Sequence, residues 1–132
     1  MFVTKNYVKG ETIFKEGDLG DRTYNVLKGE VLICKSRRDG GMVAIGKLTQ
    51  GEIFGEMYLL DPKAGGRRTA TAIASCDVEL EVIFQEELTK LLENTPPQMT
   101  ALMESLCRRL RKISAEYASV VPVKKYSFIN NP

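Results

Sequence analysis

Short runs of apolar or alternating residues, each broken by glycine, fill the first two thirds of the chain. They are "ETIF" at 11–14, "TYNVL" at 23–27, "VLIC" at 31–34, "MVAIGKL" at 42–48, "TATAIA" at 69–74 and "VELEVIF" at 78–84. Their Val, Ile, Thr and aromatic content predicts strands. Between them lie "EGDLGD" at 16–21, "KGE" at 28–30 and "RRDGG" at 37–41. In these, glycine supplies positive φ and aspartate bonds local backbone. The Asp39-Gly40 step between two strand runs predicts a hairpin. Many short strands at this spacing indicate an antiparallel sandwich or roll.

The period changes at Gln85. In "QEELTKLLENT", Leu88, Leu91 and Leu92 recur at helical spacing. A second helix is expected after Thr95, with Thr95 as cap, Pro96 in the first turn and Gln98 as capping-box partner. Met99, Met103, Leu106, Leu110, Ile113, Tyr117 and Val120 then follow at steps of 4, 3, 4, 3, 4 and 3. That is a heptad seam, and Pro122 ends it. The seam packs either on the roll, as in any amphipathic helix, or against a second copy, which gives a homodimer through helix 99–120. The chain thus divides into a β-roll with a short helix (1–94), a lid or dimer helix (95–121) and a tail (122–132).

Length and composition suit one soluble domain: 132 residues, 43% hydrophobic and 27% charged. A net charge of +2 gives little reason to expect nucleic acid, although Arg108, Arg109, Arg111 and Lys112 cluster on the last helix. There, basic residues are read as a solvated face that also suits the helix dipole. No apolar run is long enough for a membrane span, and no secretory signal opens the chain. Cys34, Cys76 and Cys107 are odd in number and widely spaced, which argues against disulfides or zinc and for a reducing cytoplasm. Histidine is absent, which removes the His-based nucleophile arrangements and the commonest metal ligand. An enzyme working through carboxylates alone stays open but is the weaker expectation, and no metal or cofactor is expected.

The candidate site is "FGEMYLLDPKAGGRRTA" at 54–70. A carboxylate accepts hydrogen bonds only, so Glu56 suits a hydroxyl such as that of a ribose. An arginine fork matches phosphate oxygens, and the small residues Thr69, Ala70, Thr71 and Ala72 after Arg68 leave backbone amides open to an anion. Thr69 adds a hydroxyl within reach of a base edge. Adjacent side chains of an extended strand face opposite ways, so only one of Arg67 and Arg68 faces such a pocket. The competing reading is a surface ion pair, worth about 0–1 kcal/mol.

These elements together, "FGE…RRTATAIA" with "EGDLGDRTYNVLKGEV" upstream and helices downstream, resemble the cyclic nucleotide-binding domain. That family includes bacterial catabolite activators, regulatory subunits of cyclic-AMP-dependent kinase and nucleotide-gated channels. The resemblance spans about residues 3–120 and implies a mainly β fold, an antiparallel β-roll of jelly-roll type followed by C-terminal helices. It implies a phosphate-binding cassette at 54–72. In it Glu56 takes the ribose 2′-hydroxyl and Arg68 the cyclic phosphate, while Gly55, Met57, Tyr58 and Ala70 line phosphate or sugar. Thr69 stands where channels and cyclic-GMP kinases also carry threonine, which leaves cyclic AMP, the first expectation, and cyclic GMP both open as ligands.

Three features depart from the family pattern. The loop "DPKAGG" is longer than in many relatives. Tyr58 replaces a small residue, so its ring is expected to crowd the pocket or stack on the ligand. Ile113 and Ser114 occupy positions where activators often present two polar residues to the base. The implied function is a regulatory module that signals to an unidentified effector protein through its C-terminal helices. A non-binding structural or dimerisation roll is the alternative, as is the sensor part of a transcription regulator. After Pro122 no DNA-reading segment is visible in the sequence.

Overall fold

The computed structural model describes residues 3–60 and 62–120; the expected tail at 122–132 lies outside them. Eight strands run in chain order: β1 Val3–Tyr7, β2 Thr12–Phe14, β3 Arg22–Lys28, β4 Val31–Ser36, β5 Met42–Leu48, β6 Ile53–Phe54, β7 Thr71–Ala74 and β8 Val78–Phe84. Three α-helices accompany them: α1 Met57–Leu60, α2 Gln85–Glu93 and α3 Pro97–Val120. The strands form two four-stranded sheets, ordered β1-β8-β3-β6 and β2-β7-β4-β5. Every named pairing is antiparallel.

Period-2 patterning explains the layers. In β8, Val78, Leu80 and Val82 turn inward while Glu79 and Glu81 alternate outward. Val26 from β3, Val31 from β4 and Ala72 and Ala74 from β7 join them in the principal core. The Asp39-Gly40 hairpin forms as expected. Gly40 sits at φ +87°, Asp39 accepts the Gly41 amide at 2.9 Å, and Arg37 N–H reaches the Gly41 carbonyl at 2.7 Å. Cys34 is fully buried, and burial pushes its thiol up to about 11, so it behaves as a small hydrophobe.

Two local expectations need correction. The expected strand at 69–74 begins only at Thr71, because the cassette backbone at 67–68 bonds sideways to the β2–β3 loop. Arg68 N–H donates to the Asp18 carbonyl at 2.7 Å, and Gly17 N–H to the Arg68 carbonyl at 2.8 Å. Thr95 does not cap α3. Its hydroxyl donates back to the Leu91 carbonyl at 2.8 Å, closing α2, and the Pro96 carbonyl instead accepts the first amides of α3, from Met99 and Thr100.

The structure also separates the two readings of α3. Most of its heptad seam turns away from the roll: Met99, Leu106, Ile113, Tyr117 and Val120 are between 45% and 77% exposed, while Met103 is half-buried and Leu110, 53% exposed, edges the cavity described below. The roll-facing stripe is Cys107, Arg111, Ser114 and Ala118, of which Cys107 and Ala118 are buried and the other two half-buried. Small residues there let the helix backbone approach the sheet, whereas most of the bulkier seam points away from it.

Leu80 is wholly buried on the strand flanked by β1 and β3. Leu80→Ala is expected to cost about 2–5 kcal/mol. Urea unfolding should show this as a lowered midpoint with an unchanged slope.

Candidate functional site

The site begins where β6 ends. Gly55 follows at φ +82°, a conformation that L side chains rarely adopt. A Cβ there would also lie 3.1 Å from Arg68 Nη1 and 3.1 Å from the Phe14 ring. The chain then turns into the short helix α1, whose last two amides, Leu59 and Leu60, both donate to the Glu56 carbonyl. After the loop, the cassette returns past the β2–β3 segment, with Gly20 N–H on the Gly66 carbonyl at 2.8 Å.

Arg67 and Arg68 part company here. Arg67 is exposed and donates from Nη1 to the Gly17 carbonyl at 2.9 Å. Arg68 is 5% exposed. Its Nη1 donates to the Gly55 carbonyl at 2.7 Å and its Nη2 to the Arg22 carbonyl at 2.8 Å. Its guanidinium carbon lies 4.1 Å from the Phe14 ring centroid and 4.6 Å from that of Tyr58. Nε is buried without a partner. Burial lowers the Arg68 pKa, yet a guanidinium starts so high that it stays charged.

Glu56 is half-buried, and burial raises its carboxyl above the ordinary range, opposed first by its own backbone amide and only then by the Arg68 charge. The two terminal nitrogens of Arg68 go to backbone carbonyls, not to Glu56. The surface ion pair weighed from sequence is therefore not what joins these groups.

All eight residues singled out from sequence, Gly55, Glu56, Met57, Tyr58, Arg68, Thr69, Ala70 and Ser114, line one cavity of about 310 Å³. Most of the remaining wall is apolar, including Ile33, Ile45, Leu48 and Ile53 from the roll and Leu110 from α3. Ile113, the neighbour expected beside Ser114 at the base, is 60% exposed on the outer face. Tyr58 neither blocks the cavity nor stands free to stack on a ligand; it is 3% exposed and its ring is taken up by Arg68. Thr69 donates its hydroxyl to the Met57 sulfur at 3.7 Å, a weak acceptor readily exchanged for a better one.

Sequence reasoning missed Lys35 and Arg111, which also line the cavity. Lys35 follows Ile33 at a step of two along β4, so the strand period could have placed it. Its ammonium donates to the Thr69 carbonyl at 2.5 Å and pairs with Glu16 at 3.5 Å, tying the cassette to the loop after β2. Arg111 was grouped with a solvated face, but the second stripe of α3, at steps of 4, 3 and 4 from Cys107, turns it inward.

Comparison with known proteins fits this geometry. The cyclic nucleotide-binding domain family matches residues 4–95. The chain is 37% identical over 115 residues to the cyclic AMP receptor protein of Thermus thermophilus, covering 87% of this chain and 52% of that protein. It is 30% identical to the cyclic nucleotide-gated channel beta-3 of Canis lupus familiaris, covering 96% of this chain and 16% of the channel. Among solved structures, an EAL enzyme in its cAMP-bound form superposes with a TM-score of 0.78 at 33% identity, over 88% of this chain and 30% of that one. The chain thus spans about half the length of the receptor protein and a smaller share of the other two. Among the described residues, no helix is long and apolar enough to cross a membrane. With a matching family over most of its length and the roll in place, the chain belongs to the cyclic nucleotide-binding domain family.

Proposed function

We propose that the chain is a regulatory module, not an enzyme, that takes a cyclic mononucleotide into this cavity and signals through its C-terminal helix. The observation that carries the reading is Arg68: a buried, charged fork in a mostly apolar cavity, with the half-buried carboxylate of Glu56 on the same wall. Arg68 takes the cyclic phosphate with the N–H donors that the Gly55 and Arg22 carbonyls leave spare. Glu56 accepts the ribose 2′-hydroxyl. Thr69 and Ser114 offer hydroxyls toward the base, and Ser114 brings α3 into contact with the ligand. A ligand that touches both roll and helix binds more tightly when the helix is closed, and that difference is what shifts the helix.

Cyclic AMP is the first candidate, supported by the similarity to a receptor named for it. The neighbouring EAL enzyme has been solved with cAMP and with cGMP, so cyclic GMP is the alternative. The exposed seam of α3 supports a second element of the reading, a homodimer through helix 99–120. A purely structural dimerisation roll would share that seam but would leave the buried cation without a task. The effector is a separate protein or a segment beyond this chain.

Calorimetry with both cyclic nucleotides tests the reading directly: heat with neither sinks it. Arg68→Ala should remove at least about 1.5–3 kcal/mol of binding, the worth of a charge-assisted hydrogen bond, whereas Arg67→Ala should change little. The reverse result overturns the assignment of the phosphate arginine.

Glu56 adds a pH dependence. Its raised pKa means that the free fold is favoured with Glu56 protonated, and that this contribution is lost as pH rises above the ordinary 4.5 through the raised value. A hydroxyl donor stabilises the ionised form, so affinity should rise with pH across that window and then level off. A 2′-deoxy cyclic nucleotide, measured by calorimetry over the same range, should bind more weakly and without the rise. Light scattering over a concentration series checks the dimer, with a monomer mass at every concentration as the opposing result.

A further inference from the structure

Tyr58 is the residue in the cassette whose ring the proposed chemistry does not use. It is 3% exposed, and its ring sits 4.6 Å from the Arg68 guanidinium carbon while the Phe14 ring sits 4.1 Å from it. The phenol hydroxyl is buried without a hydrogen-bond partner. Thr23 lies close to it, but the Thr23 hydroxyl is directed to the Gly55 carbonyl at 3.4 Å. A buried hydroxyl left unpaired is a cost, so the hydroxyl does not explain why a tyrosine stands here. The ring does.

Room for the ring comes from Gly20. A Cβ at Gly20 would lie 2.4–2.7 Å from three atoms of the Tyr58 ring, and this glycine has no positive φ to account for it otherwise. Gly20 is therefore needed for space, and the space is filled by Tyr58. Two carbonyls, of Gly55 and Arg22, anchor one hydrogen of each terminal nitrogen of Arg68. A guanidinium carries five N–H donors, so three remain, including the unpartnered one on Nε. Two carbonyls restrain where the nitrogens sit, and the two rings restrain how the plane tilts.

We propose that Tyr58 is a positioning residue for Arg68: together with Phe14 it fixes the guanidinium plane, so that the arginine meets a cyclic phosphate already oriented. This rests on the reading of Arg68 as the phosphate ligand. Preorganisation of this kind raises affinity because the ordering cost is met before the ligand arrives. Gly20 is part of the same device, since it alone lets the ring reach the guanidinium.

The test compares the wild-type chain with Tyr58→Phe, Tyr58→Leu and Gly20→Ala by calorimetry with cyclic AMP and cyclic GMP, and by the NMR resonance of the Arg68 Nε–H. Arg68→Lys identifies that resonance by removing it. In the wild type and in Tyr58→Phe it should be shifted upfield by the rings and protected from exchange. In Tyr58→Leu and Gly20→Ala it should move toward the ordinary arginine region, keeping only the part of the shift that Phe14 supplies, and lose its protection from exchange. Affinity should stay within about twofold in Tyr58→Phe and fall about tenfold in Tyr58→Leu and Gly20→Ala, the scale of a partly desolvated cation–π contact. A Tyr58→Leu chain that keeps both the shifted resonance and the affinity overturns the proposal, as does a Tyr58→Phe chain that loses as much as Tyr58→Leu. Gly20→Ala leaves Tyr58 itself unchanged and so guards against misfolding of the leucine variant. If the wild type binds neither nucleotide, the functional reading falls, while the resonance still decides whether Tyr58 fixes Arg68.

Discussion

A guanidinium withdrawn from water must have its charge met by something, and Arg68 meets it with carbonyl dipoles and aromatic faces rather than with a carboxylate. The Arg22 carbonyl belongs to β3 and the Gly55 carbonyl to the residue just after β6 of the same sheet, and Phe14 belongs to the other sheet. Tyr58 belongs to α1. One side chain thus ties both layers of the roll to the cassette. The constraint reaches outward from there. Gly55 must lack a side chain because Nη1 lies where a Cβ would press, and Gly20 must lack one because Tyr58 does. The aromatic group of Phe14, Tyr24 and Phe54, with centroids 5.3–6.1 Å apart, backs Phe14 and keeps the ring under the arginine in place.

The helix that covers the cavity is built for contact rather than for bulk. Its roll-facing stripe holds Cys107, Arg111, Ser114 and Ala118, while most of its large side chains face away and Leu110 edges the cavity. An ordinary amphipathic helix would do the opposite and would be held by its own apolar burial. Here the helix meets the roll through small and polar groups, so less apolar area resists its displacement. The exposed seam is a separate surface, available while the inner stripe stays on the cavity. On the proposed function, a helix with two such faces senses the ligand on one side and reports on the other.

The strands were legible because their faces differ: "MVAIGKL" and "VELEVIF" coincide with β5 and β8. β1 was not singled out, since "VTKNY" at a sheet edge buries only Tyr7 and carries little alternation. The cassette residues were found by motif, which encodes ligand chemistry directly. Lys35 and Arg111 were missed because a charge in an apolar register, or among other charges, looks like surface until the neighbours across the cavity are known. The inner face of α3 escaped notice for a related reason. Heptad analysis tracks large apolar residues, and the inner stripe consists of small and polar ones. Thr95 had the right chemistry for a cap but stood closer to the end of α2 than to the start of α3.

The deeper reason that Glu56 and Arg68 define a site is that they share a cavity without satisfying each other. Burial raises the acid, and burial lowers the base. A direct ion pair would relieve both, yet the arginine nitrogens are turned to backbone carbonyls. Lys35 does not fill the gap, because its ammonium is committed to Glu16 and to the Thr69 carbonyl. What remains is a half-buried carboxylate with room for further donors and a fork with three N–H donors not used by the Gly55 and Arg22 carbonyls. A molecule carrying a hydroxyl and one negative charge at a fixed distance relieves both at once. An anion without the hydroxyl, or a hydroxyl without the anion, relieves only one. On the proposed function, the separation of the two groups is the selective element, and the turn at Gly55 together with the clamp on Arg68 sets it.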